Sequence, residues 1–145
     1  MPSTTKPAIY FFFETSVTLK DRTGIKNLIA TVFKKEGVKL ASLNYIFCTD
    51  KRLLKINQDF LKHDYYTDII TFELSPKGEP IEGEVYISID RVKENSADLN
   101  TSFQSELHRV IFHGALHLCG YKDKTTHEQK KMRMAEDKCL ASYFK

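Results

Sequence analysis

Two histidines four residues apart, His113 and His117, precede Gly120 and Asp123. Residues four apart lie one above the other on a helix, so both imidazoles can reach a single ion. Gly120 lets the backbone turn left-handed, which ends the helix and returns Asp123 across the face just left. A site with three protein ligands keeps one position open for water, which a divalent metal acidifies toward neutrality. Zinc is the expected ion, held by His113, His117 and Asp123. His127, ten residues past His117, competes for the third place. Glu106 stands seven residues before His113 on the same stripe, either as an outer acceptor for an imidazole N–H or as a solvated acid. Gly114, between the histidines, costs about 1 kcal/mol relative to Ala inside a helix. Something is therefore expected to approach the backbone there.

The same spacing occurs in metalloproteases that use a Glu directly after the first histidine as general base. Here that place belongs to Gly114, which argues against peptide hydrolysis. Phosphodiester cleavage needs no such base, because the ion polarises a phosphoryl oxygen while cations offset the developing charge. Lys122 and Lys124 flank Asp123, and Arg109 lies one turn before His113. Tyr65, Tyr66 and Tyr121 either stack on unpaired bases or pack within the fold.

These residues need elements to position them. Ile9–Phe13 reads as a buried strand. Asp21–Lys35 reads as an amphipathic helix, with Ile25, Leu28, Ile29, Val32 and Phe33 on one side and Gly37 closing it. Leu43–Cys48 is a second strand, followed by a helix capped by Thr49 or Asp50 and running to about Phe60. Asp68–Leu74 and Glu84–Ile89 are strands joined through the turn-rich Ser75–Gly83 loop, and so antiparallel. Thr101 with Gln104 has the form of a capping box for the histidine-bearing helix, whose inner face carries Phe103, Leu107, Val110, Ile111 and Gly114. The last helix, about Thr126–Tyr143, is capped by Thr125 or Thr126 and offers Met132, Met134, Cys139 and Leu140 for packing. The fold class is α+β: one mixed sheet under helices, with the histidine helix central.

At 145 residues and 41% hydrophobic, the chain suits one domain with its own core. The net charge of +3 is too small to announce a nucleic-acid binder by itself. Cys48, Cys119 and Cys139 form neither a disulfide framework nor a C-x-x-C zinc knuckle. The early apolar run, Ala8–Phe13, is shorter than a signal-peptide core or a membrane span, so a cytoplasmic protein is expected.

The stretch His113-Gly-Ala-Leu-His117-Leu-Cys-Gly120-Tyr121-Lys-Asp123 resembles the signature of the YbeY family of bacterial metallo-endoribonucleases, H-G-x-L-H-L-x-G-Y-D-H. All its fixed positions fit except the last two. Gly83–Ser88 is similar to the family's Gly-Asp-Ile strand, Thr67–Phe72 to its Thr-Asp-Val-Leu-Ser-Phe strand, and Glu106 to its acid before the first histidine. The resemblance runs from about Leu53 to Asp123. It implies a zincin-like α+β fold, one zinc-type metal, cleavage of single-stranded RNA, and a role in maturing the 3′ end of small-subunit ribosomal RNA and in ribosome quality control. Two positions depart from the family. Its third histidine ligand is Asp123 here, an exchange zinc accepts. An arginine after the helix preceding the Thr-Asp strand is Leu61. Lys62 is adjacent, but a lysine is a point charge and lacks a bidentate grip on phosphate. Lys62, Lys122 and Lys124 are the expected RNA-backbone contacts. The competing readings are a ribosome-associated assembly factor with a structural metal and a metalloprotease-type hydrolase.

Overall fold

Residues 7–145 of the chain are described by a computed structural model. Four strands form one sheet: β1 (Ala8–Phe13), β2 (Leu40–Cys48), β3 (Ile69–Glu73) and β4 (Ile81–Ser88), in the order β1-β2-β4-β3. β1 and β4 run parallel to β2, and β3 runs antiparallel to β4, so the sheet is mixed as expected. Register places Phe11 opposite Tyr45 and Tyr45 opposite Val85. Because side chains alternate along a strand, Ile9, Leu43, Tyr45, Phe47, Val85 and Ile87 all enter the same core.

The helices are α1 (Arg22–Lys35), α2 (Asp50–Leu61), α3 (Ile89–Asp98), α4 (Phe103–Leu118) and α5 (Thr126–Tyr143). α4 is the histidine helix, and it is buried nearly all round, with Leu107, Ile111, Phe112 and Ala115 inaccessible to solvent. Full burial of each such Leu, Ile or Phe side chain contributes roughly 2 kcal/mol. Tyr45 donates its hydroxyl hydrogen to the Ile111 carbonyl at 2.8 Å, tying the helix to the middle strand. On the other sheet face α2 packs, closing a small cluster of Leu53, Ile56, Cys48 and Ile70. No helix among the described residues is long and apolar enough to cross a membrane.

Three expectations change. Residues 89–98 form the helix α3, where the sequence pattern predicts no element: Ser88 caps it by accepting from the Arg91 amide. Its apolar stripe is only Ile89 and Val92, with Ser96 buried beside them, too thin for a periodic signal. Thr101 does not cap α4. Its amide is bonded to the Ser96 carbonyl, completing the end of α3, and Ser102 is the cap instead, accepting from Ser105. Met134, offered for packing, is exposed. The capping box lies at α5, where the Thr125 and Glu128 side chains each take the other's backbone amide.

Candidate active-site cleft

α4 ends as the glycine required. Gly120 sits at φ 109°, and the amides of Gly120 and Tyr121 bond to the carbonyls of His117 and Leu116, the paired closure of a Schellman motif. Gly114 answers the helix penalty: a Cβ there would stand 2.9 Å from Val85 Cγ1 and 3.2 Å from Ile69 Cδ1. The glycine lets α4 lie close on the sheet, which lowers the histidine face into a cleft.

That cleft has a volume of about 750 Å³ and is walled by the α2–β3 loop, β3, α4 and α5. His113, His117 and Asp123 all line it. The two imidazole planes are 7° from parallel with centroids 6.5 Å apart. His113 Nε2 faces Asp123 Oδ2 at 3.3 Å, so the turn at Gly120 does return the aspartate across the helix face. His113 Nδ1 is 2.6 Å from Glu136 Oε2.

Glu136 is the residue that sequence reasoning missed. It is 5% exposed on α5 and binds His113 through one carboxylate oxygen and Arg109 through the other, at 3.0 Å. Arg109 continues to Asp137 at 2.9 Å. The signal was a charged residue on the apolar stripe Met132, Glu136, Cys139. An acid placed there must find a partner inside. Glu106 is also 5% exposed rather than solvated, and lies 3.9 Å from Arg109.

Electrostatics separate the two imidazoles. Burial pushes His113 down, but the hydrogen bond and charge of Glu136, with Asp123 and Asp68 behind it, hold it above the ordinary value. Desolvation by the cleft walls lowers His117, against the pull of Asp123. Burial also raises the carboxyls of Asp68 and Glu106, opposed by His113 and Arg109 respectively.

The donor set suits a divalent metal: two imidazoles on one helix face, a carboxylate oxygen opposite, and a buried carboxylate that fixes one ring and leaves Nε2 outward. As the side chains stand, His113 and Asp123 pair with each other. No group of three or more His, Cys, Asp or Glu side chains among the described residues is gathered closely enough to enclose an ion. His127 is elsewhere, in a second hollow of about 310 Å³ with Glu36, Cys119, Tyr121, Lys122 and Lys131.

The proposed cations divide likewise. Lys124 lines the cleft, and Lys122 lines the second hollow. Lys62 is the exposed left-handed cap of α2, outside the cleft lining, while Leu61 is in it. Arg109 reaches the cleft but is held by acids. Of the three tyrosines only Tyr65 lines the cleft. Tyr66 lies under the Arg91 guanidinium at 5.3 Å, and Tyr121 donates to Glu36 at 3.1 Å.

The sequence matches the family described as Endoribonuclease YbeY over residues 13–144. A Cytophaga hutchinsonii protein named Endoribonuclease YbeY is 52% identical over 134 residues, covering 92% of this chain and 94% of the relative. A Flavobacterium psychrophilum protein of the same name is 44% identical, with coverage of 91% and 94%. The solution structure of a Thermotoga maritima protein is similar with a TM-score of 0.62 at 28% identity, covering 94% of this chain and 89% of that one.

Proposed function

The chain belongs to the YbeY endoribonuclease family, and from that premise we propose that the His113–His117–Asp123 cleft is where it cuts unpaired RNA with a divalent ion, zinc by preference. The protein is an endoribonuclease, a hydrolase of RNA phosphodiester bonds. The observation that carries the location is the His113 ring, fixed on Glu136 at 2.6 Å with its other nitrogen turned to Asp123 at 3.3 Å. When bound, the ion supplies a Lewis acid for the phosphoryl oxygen and a water that loses its proton near neutral pH.

The chain's own residues do the rest. Glu136 orients His113 and keeps its Nδ1 occupied, so that only Nε2 serves the cleft. Arg109 holds Glu136 in turn, and Asp137 shares the load on the guanidinium. Desolvation lowers the proton affinity of His117, which favours the imidazole form with a free lone pair. Asp123 brings negative charge to the ion, and Lys124 meets phosphate at the rim. Gly114 leaves no side chain beside His113 to act as a protease base.

The reading extends to a zincin-like motif, cytoplasmic action on ribosomal RNA, maturation of the small-subunit 3′ end, and contact with the small subunit. Its test is direct. Metal-loaded protein is incubated with single-stranded RNA, a duplex of the same sequence, and casein. Only the single strand should be cut, and His113→Ala and His117→Ala should abolish cutting. Casein hydrolysis lost in His117→Ala would overturn the reading.

A further inference from the structure

His63 and Tyr65, on the loop between α2 and β3, line the cleft as a stacked pair. Their centroids are 5.1 Å apart, their planes lie within 20°, and the Tyr65 hydroxyl is 3.0 Å from His63 Nδ1. Tyr65 is 57% exposed. The loop beneath is nonetheless well fastened. The His63 amide donates to the Asn57 carbonyl at 3.1 Å, and the buried Asn57 side chain donates to the Tyr65 carbonyl at 2.9 Å. Gln58 adds a bond to Asp64 at 2.6 Å. An aromatic face held in place yet left open to water differs from Tyr66, which Arg91 covers.

Arg133 lines the same cleft from α5. Unlike Arg109, it makes no hydrogen bond or ion pair among the described residues. Glu106 lines the same cleft, and the Arg133 charge favours its ionised form against the rise that burial imposes. A guanidinium with unused donors is suited to the planar, two-point grip on phosphate that Lys62 lacks.

Resting on the endoribonuclease reading, we propose that this part of the cleft is a nucleotide subsite: an unpaired base stacks on the Tyr65–His63 pair while Arg133 pairs with a neighbouring phosphate. The chemistry is that of single-strand binders, an aromatic platform beside a cation, tolerant of base identity because every base has a π-face. It also brings unused donors to a cleft whose other guanidinium, Arg109, is held by Glu136 and Asp137.

The experiment measures binding of a short fluorescent single strand with 2′-O-methyl phosphorothioate linkages, which resist hydrolysis, and of the same backbone carrying abasic sites. Tyr65→Ala should weaken binding of the base-bearing strand about tenfold, leave the abasic strand unaffected, and leave the melting temperature of the protein unchanged. Tyr65→Phe should bind like the parent. Arg133→Ala should weaken both strands and reduce the slope of log affinity against log salt by about 0.7. If the parent cleaves unpaired RNA but both alanine variants bind like it, or Tyr65→Ala weakens both strands equally, the subsite is refuted while the activity stands. If the parent neither binds nor cleaves single strands, the activity reading fails and the subsite with it.

Discussion

Two hollows flank the end of α4, and each holds an exposed histidine with lysine beside it: His117 and Lys124 in the cleft, His127 and Lys122 in the smaller hollow. They differ in what lies behind. The cleft is backed by the buried carboxylates of Glu106 and Glu136 and by Arg109, which lies close to both. The smaller hollow is backed by Cys119, whose thiol burial pushes up to about 12, and by the Tyr121–Glu36 hydrogen bond. A histidine with lysines nearby is common surface chemistry. A histidine locked by a buried, counter-balanced carboxylate is an oriented donor, and orientation is what makes a site.

The sharpest way to break that contrast is Glu136→Ala. It leaves the mostly buried Arg109 guanidinium with Asp137 and a long contact to Glu106, and should destabilise the fold by about 3 kcal/mol. It also frees the His113 ring, so RNA cleavage in the folded fraction should fall by about 10- to 100-fold. Denaturant melts read the first effect and initial rates the second. A variant as active as the parent would show that the buried acid does not orient the site.

Gly114→Ala probes the same wall from beneath. The new methyl meets Val85 and Ile69 at about 3 Å, and lifting α4 should cost about 1–3 kcal/mol, less the modest gain of alanine in a helix. Its counterpart at the smaller hollow, His127→Ala, should leave the melting temperature where it was.

A third test compares two histidines on α4. His108 is buried more deeply than His113 and has no carboxylate bonded to it. Its Nδ1 lies 2.6 Å from the Gln104 carbonyl, its Nε2 has no partner, and Tyr143 stacks on the ring at 4.8 Å. Burial lowers its proton affinity, against the pull of the Gln104 carbonyl. A histidine whose folded value is depressed contributes stability that is full above its unfolded value, near 6.5, and is lost as pH falls through the folded one. Stability should therefore decline below about pH 6.5, and His108→Phe should flatten that decline. For His113 the sign reverses, because its value is raised. Its contribution is full below about 6.5 and is lost as pH rises through the folded value.

The smallest effects separate the lysines. Lys124→Ala should reduce the salt slope of RNA binding by about 0.7, and Lys122→Ala should leave it unchanged. Equal slopes for the two would erase the distinction between the hollows.

Much of this arrangement was legible in the sequence because it is local. The spacing of His113 and His117, the turn at Gly120 and the close approach at Gly114 are settled within one helix and its cap, and the period-2 strands carried the mixed sheet. What stayed hidden is tertiary. Glu136 lies 23 residues from His113, and no periodicity announces which acid on a later helix will meet a given imidazole. Lys122 and Lys124 look equivalent on paper, yet they line different hollows. α3 was missed because its stripe is nearly polar and its left-handed terminator is Asn100 where Gly is the usual signal.

On the proposed reading, the cleft and not the smaller hollow holds the metal. Elemental analysis of untagged protein measures this most directly, comparing the parent with Asp123→Ala and His127→Ala. Near-stoichiometric divalent metal is expected in the parent and in His127→Ala, with a marked loss in Asp123→Ala. Metal kept in Asp123→Ala and lost in His127→Ala would contradict it.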